Sequence, residues 1–183
     1  MNHKRQRLSP SPKLVMSRLK PHDVAVALQL ALEPGSTFRR LAEALGMSRG
    51  EMHNAVKRLV EARLASPESR TVYRSRLLDL LTGGVPYVFA AAPGAETRGV
   101  PTAHAAPPLN DHFPGTAPFV WPDAQGTVRG QAVTPLYPGA PGTAQRNPAL
   151  YEALALVDAV RVGQAREREL ALQLLRSRLQ VDG

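Results

Sequence analysis

Apolar positions recur at helical spacing three times in the first third of the chain. Val24, Ala27, Leu28 and Ala31 form the first set, and residues three and four apart share one side of an α-helix. Pro21 suits the first position of that helix. Asp23 falls in its first turn, where the helix dipole favours an anion, and Pro34-Gly35 stops it. Leu41 and Leu45 mark a second helix that starts near Thr37 and ends at Gly46. Ser48 and Glu51 then have the Ser-x-x-Glu spacing of a capping box, in which hydroxyl and carboxylate satisfy free N–H groups at a new helix start. Met52, Ala55, Val56 and Leu59 supply its apolar stripe, and the pattern ends near Ala62 or Arg63.

The period then changes. Leu64 to Tyr73 brackets Ser66-Pro67-Glu68-Ser69, which predicts a turn between two strands of about three residues each. Leu77, Leu78 and Leu81 predict a helix from Arg74 to Leu81, ended by Gly83-Gly84. Val85 to Ala91 alternates around Tyr87 and Phe89 and reads as a strand. Thr127–Val128 and Ala132–Leu136 read as further strands. Asn147-Pro148 is a cap and first-position pair for a long C-terminal helix, with Leu150, Leu154 and Val157 on one side. Gly163 bends or divides it before Leu170, Leu174 and Leu175 resume the stripe. No internal repeat is present.

Composition narrows the class. The chain has 183 residues, 43% of them apolar and 21% charged, as in a globular protein of one or two domains. It contains no cysteine, which excludes disulfides, thiolate zinc sites, iron–sulfur clusters and a cysteine nucleophile. No apolar run approaches the roughly 18 residues that span a bilayer. No apolar segment follows the basic start as a signal peptide would require, so a soluble cytoplasmic protein with no membrane partner is expected. The proline-rich stretch from Pro86 to Pro148 holds 12 of the 17 prolines and 7 of the 14 glycines, yet also six of the nine aromatics. Disordered segments are poor in aromatics, so this stretch is expected to be irregular but packed.

The formal charge of +8 is unevenly placed. Residues 1–76 carry 15 Lys and Arg against 6 Asp and Glu, whereas residues 77–183 carry 8 against 9. A basic block on a neutral remainder is an electrostatic footprint for a polyanion. Division at these points gives a basic flexible tail over 1–20, a first domain over 21–76 and a second region over 77–183.

The stretch from Phe38 to Val56 resembles a helix-turn-helix. Ala42 is the small residue of the first helix, Gly46 the turn glycine, Met47 the apolar residue after it, and Met52 and Val56 the packing positions of the second. The string from Leu41-Ala42-Glu43-Ala44-Leu45-Gly46-Met47-Ser48 to Lys57-Arg58-Leu59-Val60-Glu61-Ala62-Arg63-Leu64 is similar to the winged helix-turn-helix of MarR-like transcriptional regulators. Ala55 is slighter than the usual core residue, and Gly50 weakens its helix by roughly 1 kcal/mol relative to alanine.

That resemblance implies a sequence-specific DNA-binding regulator, a repressor, with helix 49–62 in the major groove of double-stranded DNA. With Met52, Ala55, Val56 and Leu59 inward, Gly50, His53, Asn54 and Lys57 face out. Arg49 is then placed to reach guanine and Asn54 adenine. Ser48 suits a phosphate at the helix start. Lys57 and Arg58 suit phosphates, and Arg39 and Arg40 lie on the helix that crosses the backbone. Arg70 and Arg74 flank the turn, which forms either the wing or a plain connecting loop. Together with the patterns above, this gives an α+β fold: an N-terminal winged helix-turn-helix, a Pro/Gly-rich region of short strands and a long C-terminal helix.

For residues 77–183 the possibilities are wider: dimerisation, a ligand or a protein partner. Residues 149–163 are too apolar to stand alone in water, so they form a homodimer contact or dock on their own Pro-rich neighbour. Gly84-Val85-Pro86-Tyr87-Val88-Phe89, Arg98-Gly99-Val100-Pro101-Thr102-Ala103 and Leu156-Val157-Asp158-Ala159-Val160-Arg161-Val162-Gly163 resemble stretches of small bacterial regulators encoded beside nucleotidyltransferase-like toxins. On that resemblance the region binds a co-encoded protein, as an antitoxin or adaptor does. His104, Asp111 and His112 have metal-ligand character but sit on a loop with no third histidine in reach. No Gly-x-Ser-x-Gly, His-Glu-x-x-His, P-loop or GxGxxG motif occurs. Neither an enzyme nor a cofactor is expected.

Overall fold

In the computed structural model, which describes residues 18–181, the first helix, α1, spans Pro21–Leu32. The tail cations Lys4, Arg5 and Arg7 lie outside the described residues. Asp23 does more than answer the helix dipole, because its Oδ2 accepts from the Lys20 backbone N–H at 2.8 Å. Every residue from Asp23 to Ala31 is buried, so α1 is enclosed on all sides. The second helix, α2, spans Phe38–Leu45. Thr37 Oγ1 accepts from the Arg40 N–H at 3.2 Å, and Gly46 ends the helix at φ 66°, a left-handed conformation that costs glycine little. The third, α3, spans Arg49–Glu61 and buries Met52, Ala55, Val56 and Leu59.

The hairpin that follows is smaller than two three-residue strands. One bridge, Ala65 to Val72, joins its arms. Hydrogen bonds of 2.9 Å from the Ser66 N–H to the Thr71 carbonyl and from the Tyr73 N–H to the Leu64 carbonyl close it. Helix α4 then runs Arg74–Gly83.

The strand expected over Val85–Ala91 is a single helical turn, α5, Val85–Val88. Pro86 sits in its first turn, and Tyr87 and Val88 are 74% and 68% exposed. The apparent alternation therefore has no sheet to serve, and Val85 alone is buried there.

The sheet lies further along. Strands β1 (Glu96–Thr102), β2 (Phe119–Pro122) and β3 (Val128–Ala132) close into a small barrel. β1 pairs antiparallel with both partners, and Gly99 lies opposite both Pro122 and Val128. β2 and β3 pair in parallel. Of the strand expected over Ala132–Leu136 only Ala132 is in a strand, because β3 occupies the residues between Val128 and Ala132. Three strands bend this sharply only where side chains are absent: a methyl group on Gly99 would strike the Trp121 carbonyl, and one on Gly126 would strike the backbone of Gly99.

After the four-residue turn α6 (Thr143–Arg146), the long C-terminal helix proves to be two, α7 (Pro148–Val162) and α8 (Ala165–Arg178). Asn147 caps α7 as expected, its Oδ1 accepting from the Leu150 N–H at 3.2 Å. Gly163 is extended, with ψ 159°. The new helix starts with reciprocal bonds between Gln164 and Glu167. α7 packs against α1, α8, the turn after β1, and β1 itself. The apolar surface of residues 149–163 is thus consumed by its own fold. Asn147 Nδ2 also donates to Gln29 Oε1 at 2.8 Å, tying α7 to α1. One contiguous cluster of buried apolar residues runs from α1 to α8.

The three unusual C-terminal stretches meet at a buried carboxylate. Asp158 Oδ2 accepts from Thr102 Oγ1 at 2.8 Å and from Trp121 Nε1 at 2.5 Å. Its Oδ1 pairs with Arg161 Nη1 at 2.5 Å, and Arg161 also donates to the carbonyls of Phe89 and Thr134. Burial pushes the Asp158 carboxyl above its ordinary range, opposed by Arg161 and by the bonds from Thr102 and Trp121. These donors satisfy a group that would otherwise be costly to enclose.

Candidate nucleic-acid interface

The stripe that α3 buries determines the face it presents. Arg49, Gly50, His53, Asn54 and Lys57 are all exposed, opposite Met52, Ala55, Val56 and Leu59. The start of the helix is held by reciprocal bonds: the Ser48 N–H donates to Glu51 Oε2 at 2.9 Å, and Ser48 Oγ accepts from the Glu51 N–H at 3.2 Å. Bonds from the Ser48 side chain, then from its backbone, hold the Glu51 carboxyl below its usual range. Glu51 therefore occupies one of the amides that a phosphate would have used.

Four of the candidate cations have carboxylate partners. Arg39 lies 3.5 Å from Glu43, Arg40 lies 3.0 Å from Glu33, and Lys57 lies 3.9 Å from Glu61. These pairs are exposed and weak, so their cations stay available to a stronger anion. Arg58 differs. Its Nε and Nη2 donate to the two oxygens of Asp23 at 2.7 and 2.6 Å, with Asp23 fully buried and Arg58 16% exposed. His22 adds a contact to Nη2 at 2.9 Å, and burial pushes its imidazole pKa down. Arg58, on the flank of the outward face and expected to hold a phosphate, is turned inward onto α1.

At the hairpin, Arg70 stands at φ 60° with its guanidinium 4.7 Å from the centre of the Phe38 ring. On the same ring His53 stacks at 3.9 Å and 19°. Hairpin, α2 and α3 thus meet at Phe38, a residue the helix-turn-helix pattern does not single out as a contact. Arg74 points elsewhere: it donates to the Ala31 carbonyl at 3.2 Å and to Gln180 Oε1 at 2.5 Å.

Residues 19–72 match the family model described as the MarR family. The N-terminal domain is a MarR-like winged helix. No curated protein and no solved structure matches the chain. The MarR-like domain supports a DNA-binding transcription regulator, and the rest of the chain lies outside the match.

Outside the MarR-like domain, His104 is buried, with Nδ1 3.4 Å from Glu167 Oε1 and Nε2 3.0 Å from the Ala117 carbonyl. Asp111 and His112 are exposed on the following loop. Among the described residues no cluster of three or more His, Asp or Glu side chains is arranged to hold a metal. Nor is any helix among them long and apolar enough to cross a membrane. One cation next to the MarR-like domain escaped the sequence pattern. Arg146 of α6 lies beside Gly46, 100 positions away, and only tertiary packing brings them together.

Proposed function

We propose that the chain is a sequence-specific DNA-binding repressor that inserts helix 49–62 in the major groove. The observation that carries this is the exposed polar face Arg49, His53, Asn54 and Lys57, backed by a fully apolar inner stripe within a MarR-like domain. Arg49 opens α3 and Asn54 stands further along its exposed face; in the major groove arginine reads guanine and asparagine reads adenine. Lys57, Arg39 and Arg40 hold phosphates by exchanging their weak carboxylate partners for a polyanion, and Arg70 reaches the adjacent backbone from the hairpin. Arg58 keeps α3 on α1 and does not touch DNA. Two copies on paired half-sites, spaced about 34–36 Å, give the symmetric arrangement such motifs use. A promoter occupied in this way excludes polymerase, so deletion of the chain should raise a reporter driven by its own promoter.

Gel-shift titration on that promoter at several salt concentrations tests the reading. Log K should fall linearly with log salt. Arg49→Ala and Asn54→Ala should each lower preference for the promoter over random duplex by about 1–3 kcal/mol, the worth of one side chain paired to a base edge. Lys57→Ala should weaken both duplexes alike. Binding indifferent to salt and to all three changes overturns the proposal.

A further inference from the structure

The segment from Tyr137 to Arg146 packs against the turn between α2 and α3. A methyl group on Gly139 would lie 3.0 Å from the Leu45 carbonyl oxygen, so the two backbones touch. The Arg146 guanidinium lies across that turn, 3.3 Å from where a Cβ on Gly46 would stand. Gly142 leaves room on the other side, since a methyl group there would sit 2.6 Å from Nη1. Two glycines thus let a planar cation lie flat beside the residue that precedes Met47 and Ser48.

The charge of Arg146 is uncommitted. The side chain is exposed, and its intramolecular hydrogen bond, from Nη2 to the Gly139 carbonyl, is long at 3.4 Å. Among the described residues no carboxylate lies within ion-pair distance of it, unlike Arg39, Arg40, Lys57 and Arg58. It comes from residues 77–183, whose acidic and basic side chains otherwise nearly cancel.

We propose that Arg146 is a contact to the DNA backbone, supplied to the helix-turn-helix by the C-terminal region. This rests on the reading of α3 as the recognition helix. The guanidinium stands beside the turn and not on α3, so it faces the strand that borders the groove and meets phosphate instead of base edges. Its fork geometry matches phosphate oxygens in pairs. The C-terminal region then contributes affinity without contributing sequence preference.

The experiment is a salt titration of the full chain against promoter and random duplexes. Arg146→Gln, which keeps a donor for the Gly139 carbonyl, should make the log K against log salt slope shallower by about 1 and weaken both duplexes roughly five- to tenfold at about 0.1 M salt. Arg146→Lys should restore the slope, and Arg98→Ala, an exposed cation on β1, should leave it unchanged. A wild-type slope in Arg146→Gln, whether or not thermal unfolding shows lost stability, overturns the proposal and leaves Arg146 as a brace for Gly46. Arg49→Ala run in parallel reports on the recognition helix itself. Loss of preference there with an unchanged slope in Arg146→Gln rejects the Arg146 contact alone.

Discussion

Lys57 and Arg58 are neighbours on α3 with the same charge and opposite destinies. Lys57 is solvated, whereas Arg58 holds both oxygens of a carboxylate that has no access to water. Removing one partner of such a pair leaves an uncompensated buried charge. Arg58→Ala should therefore lower stability by about 3–5 kcal/mol, read from urea unfolding. Lys57→Ala should cost less than about 1 kcal/mol and act instead on DNA affinity. An Arg58 variant of native stability with weakened DNA binding would return the residue to the DNA face. The helical projection sets Lys57 outward and Arg58 on the flank, yet charge alone gives both the same phosphate role. Asp23 lies 35 positions upstream of Arg58, and in sequence its place in the first turn of α1 already accounted for it.

At the scale of elements, local chemistry was the readable part. Caps and stops at Pro21, Thr37, Gly46, Ser48 and Asn147 lie within a turn of what they act on, and they place α1, α2, α3 and the start of α7. The α3 cap also has a pH signature. A carboxyl held low ionises more readily in the folded chain than in the unfolded one. The stabilisation from Glu51 is therefore present above the ordinary glutamate value of about 4.3 and is lost as pH falls through the lower folded value. Unfolding curves between pH 6 and pH 3 should fall less steeply for Glu51→Gln than for the native chain. The strands were unreadable for the converse reason. β1 contains Gly99 and Pro101, residues that count against a strand in isolation, and what makes them suitable is a pairing partner 19 to 29 positions away. Val85 to Ala91 alternated with no partner present.

Across the whole molecule, α7 and the Asp158 cluster join parts that sequence order separates. Thr102, Trp121, Asp158 and Arg161 come from β1, β2 and α7, and Arg161 reaches back to the carbonyl of Phe89. A resemblance singles these stretches out but does not say that they face one another. Arg161→Ala should cost about 3–5 kcal/mol, a large part of the 5–15 kcal/mol typical of a domain, and should lower the denaturant midpoint of the chain accordingly. A loss of only a few tenths of a kcal/mol in unfolding free energy would mean that water already reaches the pair.

Helix α1 carries a consequence for how this chain could be recombined. Its sides are covered by α3 on one flank and α7 on another, so the MarR-like segment shares its innermost wall with the region that follows. Shuffling that segment onto an unrelated scaffold would strip one wall and leave a bare apolar flank. The MarR-like segment is therefore no detachable cassette, and any transplant must carry α7 or a surface shaped like it.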